Sequence, residues 1–279
     1  MKQYNKVYVE ITNICNMNCS FCHGHKRPPK QMSIKEFNHI INSLSGITKY
    51  LYFHLMGEPL THPNLPEFIQ LANERGYKSI ITTNGTLLKS RGEEILSASV
   101  HKINISLHSF ENGTEKEHLT YLQDIVNFTK LSSSKGTIVV FRLWNDGFDE
   151  GKNQTTINYL KNVLQGVWKE NSRGIKIDNN IYLEYGKRFE WPDENEEIKG
   201  EKFFCYGLKD QFGILVDGTV VPCCLDSNGV INLGNVFEND LHTILNGERA
   251  TAMVNNFRCG KASETLCKKC GYATRFIKK

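Results

Sequence analysis

The chain has 279 residues, 39% of them hydrophobic and 23% charged, with seven prolines. That suffices for one large α/β domain, or a barrel-like domain with a small appendage, and excludes a disordered or low-complexity chain. The net charge of +4 is a mild field with no basic stripe, so nucleic acid is not an expected partner, and the absence of any run of about 18 apolar residues or of a signal-type segment predicts a cytoplasmic protein without a membrane span.

A strand is predicted over residues 6–12, KVYVEIT, and a cysteine-bearing loop follows it. Ser33-Ile34-Lys35-Glu36 has the form of a capping box and opens a helix to about Leu44. Strand, loop and helix recur in YLYFHL with a helix over 66–75, SIITT with one over 90–96, and KINISL with one over 117–131. TIVVFRL with a helix over 155–168 makes the fifth repeat, and IYLEY is the sixth strand. This alternation predicts a parallel sheet with right-handed crossovers, either open and doubly wound or a partial barrel, with ligands at the C-terminal ends of the strands. The charged stretch 190–202, EWPDENEEIKGEK, breaks the rhythm as a surface linker. Beyond it FGILVDGTVVPCC reads as a hairpin turning at Asp217-Gly218, and DLHTILNGERATAMV as a short amphipathic helix.

Nine cysteines in a reducing compartment are expected to hold metal rather than to form disulfides. Three of them, Cys15, Cys19 and Cys22, stand as C-x3-C-x2-C in the loop NICNMNCSFC. A closed zinc site wants four tetrahedral ligands, usually as two spaced pairs. Three thiolates in one loop suit a 4Fe-4S cubane better, with one iron left open. With Phe21 before its last cysteine, the loop resembles the signature of the radical S-adenosylmethionine (SAM) superfamily. The resemblance implies that the open iron chelates the amino and carboxylate groups of SAM. It implies further that an electron from the cluster cleaves SAM to a 5'-deoxyadenosyl radical, and that this radical takes a hydrogen from the substrate.

The same resemblance implies a SAM cradle made by Phe21, by Gly57 and Glu58 in HLMGEPL, by Thr83 and Asn84 in ITTNG, and by Ser106 in ISLHS. A glycine permits close backbone approach, and a glutamate accepts from an ammonium. Two positions depart from the family's pattern. His108 stands where many relatives carry aspartate, and no arginine occurs between Ser106 and Arg142. Arg142, ending the fifth strand, therefore takes the part of the carboxylate clamp. His108 is the candidate catalytic residue, lining the substrate cavity or moving a proton. His23, His25, Lys26 and Arg27 read as a solvated loop, and WNDGFDEGKN, 144–153, as a candidate substrate loop.

Cys205, Cys223, Cys224, Cys259, Cys267 and Cys270 remain. C-x17-C across the hairpin, G-x4-C from Gly218 to Cys223 and the later C-x2-C, together with LGNVFENDLHTIL, resemble SPASM and twitch domains. The one-cluster twitch form implies an auxiliary 4Fe-4S cluster on Cys205, Cys223, Cys267 and Cys270, with a zinc ribbon as the alternative for such a set. Cys224 follows Cys223 directly and so points to the other face, and Cys259 receives no role.

The fold expected is α/β, a partial (β/α)6 TIM-like barrel over 1–190 followed by a cysteine-rich twitch/SPASM-like module, hairpin plus helix, over 191–279. The function expected is radical SAM chemistry of the oxidoreductase kind, with the auxiliary cluster serving oxidation or placement of a small molecule or a peptide. A peptide epimerase or thioether-forming maturase is the rival enzyme. It is weakened because the sequence begins almost at its first strand, leaving no room for an N-terminal peptide-recognition domain. An iron-sulfur electron carrier or regulator is the rival outside enzymes. The partners expected are a small-molecule or peptide substrate and an electron donor such as a flavodoxin or ferredoxin.

Overall fold

The computed structural model describes residues 2–172 and 174–276. In chain order these form β1 (Lys6–Val9), α1 (Ile34–Ser43), β2 (Tyr50–Tyr52), α2 (Leu65–Glu74), β3 (Lys78–Thr83), α3 (Leu88–Ser97), β4 (Lys102–Ser106) and α4 (Glu115–Ser134). There follow β5 (Ile138–Asp146), α5 (Lys152–Val163), β6 (Lys169–Asn171), β7 (Gly174–Asp178), β8 (Ile181–Lys187), β9 (Gln211–Ile214), β10 (Val220–Val221), α6 (Leu241–Leu245), α7 (Glu248–Arg258) and α8 (Thr265–Lys268). Two compact units divide them. One comprises Met1–Ile14, His23–Gly57 and Phe189–Lys279; the other comprises Cys15–Cys22 and Glu58–Arg188.

In the first unit β1 runs parallel to both β2 and β9, and β10 folds back on β9 as the predicted hairpin. The hairpin turns at Gly218, whose φ of 89° suits glycine and whose missing Cβ would lie 2.4 Å from the Phe237 ring. The capping box of α1 forms as expected. Ser33 Oγ accepts the Glu36 N–H and the Glu36 carboxylate takes the Ser33 N–H, while Phe37, Ile40 and Ile41 bury the apolar stripe. The expected single helix after the hairpin is two, α6 and α7, because extended backbone at Gly247 separates them.

In the second unit β3, β4, β5 and β8 are parallel neighbours, and β7 and β6 extend the sheet antiparallel beyond β8. Ile81, Ile103, Ile105, Val139, Phe141 and Leu183 from these strands are fully buried. The register sets Ser106, the last residue of β4, opposite Arg142, and Arg142 opposite Glu184; β5 runs on to Asp146, so Arg142 lies within the strand rather than ending it. Helix α5 stops at Val163 rather than near 168. Leu164 takes extended backbone, and Trp168, at φ 43°, leads into the β6–β7 hairpin. No helix among the described residues is long and apolar enough to cross a membrane.

Candidate functional site

The loop bearing Cys15, Cys19 and Cys22 belongs to the second unit and has no regular secondary structure, so side-chain contacts must hold it. At one end Asn16 donates to Thr86 Oγ1 and accepts from Asn84 Nδ2, both at 2.9 Å. At the other, the Ser20 N–H and Oγ–H each donate to the Glu111 carboxylate at 2.6 Å. The Cys22 N–H closes a turn on the Cys19 carbonyl at 3.1 Å. All three cysteines are free thiols, Cys15 and Cys22 exposed and Cys19 half-buried. Burial pushes Cys19 up to about 11, and the charges of Glu111, Cys22 and Cys15 push the same way. Cys15 is raised first by burial and then by Glu58 and Cys22. Thiols that hinder one another's ionisation need a shared cation to become thiolates together, as a metal centre provides.

Around this loop lie the other expected residues of the second unit. Glu58 is 2% exposed; its carboxylate accepts the Asn84 N–H at 2.7 Å and the Leu60 N–H at 3.1 Å. Burial nevertheless raises it to about 7, outweighing those bonds and one from Thr83. Thr83 Oγ1 accepts the Gly85 N–H at 3.0 Å, and the Tyr121 hydroxyl donates to the Asn84 carbonyl at 2.7 Å. Arg142 sets its guanidinium 4.7 Å over the Trp144 ring, with Nε 3.4 Å from Glu184. In the first unit, Gly57 has φ 75° and approaches the backbone so closely that a Cβ would lie 2.5 Å from the Thr12 carbonyl oxygen. The fold thus requires a glycine there on steric grounds alone.

His108 packs its ring 4.9 Å from Phe21 and holds Nδ1 at 3.0 Å from the Arg142 carbonyl. The same nitrogen lies 3.4 Å from the Trp144 N–H, which can only donate; the carbonyl contact is the shorter, and with Nδ1 protonated toward it Nε2 keeps a lone pair. Burial lowers the pKa of His108, and the Arg142 charge pushes the same way against the bond to the Arg142 backbone, so the neutral form is favoured. A cavity of about 620 Å³ within the second unit is lined by Ser20, Phe21, His108, Glu111, Trp144 and Arg188, among others. Most of the 144–153 loop contributes to its wall. Cavity, cysteine loop and His108 thus come together although they are far apart in sequence. Glu111 was not a sequence candidate; nothing local marks it.

The loop after the trio, in the first unit, differs from its solvated reading. Arg27 grips the buried Glu10 carboxylate at 2.8 and 2.6 Å and donates to the Ser227 carbonyl at 2.8 Å. His25 Nε2 lies 2.8 Å from the Asn13 carbonyl. Both are structural residues; His23 pairs with Asp193 at 3.3 Å.

The remaining cysteines lie in the first unit. Cys223 follows β10, Cys267 sits in α8 and Cys270 just after it, while Cys205 precedes β9. Burial raises the Cys223 and Cys267 thiols well above their ordinary value, and the charges of Cys205 and Cys270 raise both further. Burial pushes Cys270 up to about 11, again with a contribution from Cys205. Cys224 raises Cys223 and Cys270 as well, so five thiols sense one another. Among the described residues no three His, Cys, Asp or Glu side chains gather closely enough for a single metal ion. Cys224 packs against the apolar cluster of Tyr8, Leu55, Leu215 and Val221, and Cys259 is an exposed cap of α7.

A family model of the radical SAM superfamily matches residues 9–143, and one of the SPASM iron-sulfur cluster-binding domain matches 205–271. The two matches support a radical SAM enzyme with a C-terminal iron-sulfur domain. These domains imply SAM, a SAM-binding 4Fe-4S cluster and an auxiliary 4Fe-4S cluster as cofactors. GTP 3',8-cyclase of Chlorobaculum tepidum is 30% identical over 109 residues, 38% of this chain and 33% of that protein. AdoMet-dependent heme synthase of Methanosarcina barkeri is 31% identical over 102 residues, 35% of this chain and 29% of that one. These matches cover about a third of the curated relatives' own length.

Among solved structures, BtrN in complex with AdoMet and 2-DOIA superposes with a TM-score of 0.64 at 19% identity, covering 97% of this chain and 94% of that one. Streptococcus suis SuiB bound to precursor peptide SuiA gives 0.55 at 15% identity, covering 97% and 70%. At such identities these define the fold alone. It is the mixed α/β class expected, a partial (β/α)6 barrel followed by a cysteine-rich module.

Proposed function

We propose that this enzyme carries out the two-electron oxidation of a hydroxyl-bearing small molecule held in the 620 Å³ cavity. The observation that carries the reading is the wall of that cavity, where Ser20 and Phe21 from the cysteine loop face the same space as His108. In this reading Cys15, Cys19 and Cys22 hold the SAM-binding cluster, and Cys205, Cys223, Cys267 and Cys270 hold the auxiliary one. The catalytic barrel is assigned to 1–190 and the auxiliary module to 191–279, in the cytoplasm, with a flavodoxin or ferredoxin as electron donor. Bound there, SAM and the clusters supply a 5'-deoxyadenosyl radical to take the hydrogen atom and an acceptor for the electron.

The protein's own residues supply placement and proton transfer. Glu58 receives the SAM ammonium. Thr83, Asn84 and Ser106 offer polar contacts at the strand ends, Phe21 covers the ligand, and Arg142 faces its carboxylate. Oxidising a carbinol to a carbonyl removes one hydrogen atom, one proton and one electron. The proton goes to His108 Nε2, whose lone pair is kept available by the Nδ1–H bond to the Arg142 carbonyl.

A peptide substrate is the second reading, since the fold neighbour SuiB holds one. Reduced, iron-loaded protein is expected to form 5'-deoxyadenosine from SAM, and a small alcohol deuterated at its carbinol carbon is expected to pass deuterium into it. Deuterium transfer from a labelled peptide alone would support the second reading; no 5'-deoxyadenosine at all would end both.

A further inference from the structure

We infer that Glu111 is a positioning residue that latches the cysteine loop to the wall of the substrate cavity. The inference rests on the reading of Cys15, Cys19 and Cys22 as iron ligands. A loop without regular structure cannot hold three ligands in register by its own backbone bonds, so external contacts set the geometry. The Asn16 end has two partners, Asn84 and Thr86. The Ser20 end, lying between Cys19 and Cys22, has one strong partner: both Ser20 donors converge on the two oxygens of Glu111 at 2.6 Å. Bonds to an ionised carboxylate are about twice as strong as neutral ones. Arg188 Nη2 reaches the Ser20 carbonyl only at 3.5 Å, and Cys19 Sγ stands 3.6 Å from the Ser109 carbonyl.

Glu111 is itself held from behind. Its backbone carbonyl accepts from Lys152 Nζ at 2.7 Å, at the first turn of α5, and both residues line the cavity. A continuous path therefore runs from the substrate loop through Lys152 and Glu111 to Ser20. Whatever fills the cavity meets the group that fixes the loop, and the negative charge of Glu111 lies within reach of the iron ligands, where charge and hydrogen bonds set a cluster's potential.

The test uses full-length, iron-loaded protein. Iron release to a chelator and the midpoint potential are followed through the EPR signal that responds to SAM, with circular dichroism as the control for folding. Glu111→Ala is expected to release the SAM-responsive iron at least about tenfold faster while the auxiliary iron stays, because the two lost bonds are charge-assisted. Glu111→Gln, which keeps the shape but removes the charge and one of the two acceptor oxygens, is expected to release iron at a rate between wild type and Glu111→Ala and to raise the midpoint potential. Lys152→Met, which leaves the carboxylate in place, is expected to fall between wild type and Glu111→Ala in release rate. Wild-type release and potential in both Glu111 variants would overturn the latch. A wild-type protein without a SAM-responsive signal would instead remove the reading on which it rests.

Discussion

Glu58 is a carboxyl buried to 2% exposure and raised by that burial to about 7 from 4.5, with no cation among the described residues acting on it. Because the folded value lies above the unfolded one, the folded state holds the proton more tightly. In the ligand-free protein the associated stability is complete below about pH 4.5 and is lost as pH rises through 7, by roughly 3 kcal/mol. Glu58→Gln is expected to flatten that slope, measured as urea midpoints from pH 4 to 8. An ammonium bound at this site favours the ionised form, so SAM affinity should rise with pH toward 7 in the wild type. It should be about ten- to a hundredfold weaker and flat in the variant, in keeping with the strength of a hydrogen bond to a charged group. Unchanged affinity removes Glu58 from the ligand. Glu10 is the opposite case, a fully buried carboxylate that accepts from Arg27 twice and from the N–H groups of Met56 and Val216. Its removal strands the Arg27 guanidinium, so Glu10→Ala is expected to cost about 3 to 5 kcal/mol in urea unfolding. A loss below 1 kcal/mol would show that the pair is solvated.

What could be read from sequence was what is local. The Ser33 capping box and the Asp217-Gly218 turn each lie within a few residues and depend on short-range geometry, and both form. Ser33→Ala is expected to cost about 1 kcal/mol. Gly218→Ala should cost more, because the new methyl would meet the Phe237 ring at 2.4 Å in a backbone conformation that disfavours any side chain. Equal thermal shifts for the two variants would contradict that ranking. The β6–β7 hairpin was not legible, since Lys169–Asn171 is exposed and polar and carries no alternation. Arg27 was misread, and its pair with Glu10 was not legible, for a different reason. In an alternating strand a glutamate looks solvent-facing, and its partner, 17 residues on, looks like loop. Glu111 was missed likewise, because Ser20 lies 91 residues away and only the fold brings the two together.

The cysteines fall into two groups that the chain keeps in different compact units, three in the second unit and six in the first. A three-cysteine site leaves an iron open for SAM, whereas a four-cysteine site is closed, which divides cleavage chemistry from electron handling. Anaerobically reconstituted protein should therefore bind about eight irons, as two cubanes require. The triple Cys15/Cys19/Cys22→Ala variant should keep about four and form no 5'-deoxyadenosine, and each single variant should also lose that product, because no spare cysteine lies in the loop. The Cys267/Cys270→Ala pair should lose the other four irons while SAM cleavage persists in part and substrate turnover falls. Cys224→Ala tests the assignment most sharply. Its sulfur stands beside Cys223 yet packs against Tyr8, Leu55, Leu215 and Val221, so losing it should leave the iron count at about eight and lower stability only modestly. A drop to about four irons in that variant, or in Cys259→Ala, would reassign the auxiliary ligands. Retention of zinc without iron in the triple variant would replace the auxiliary cluster with a zinc ribbon.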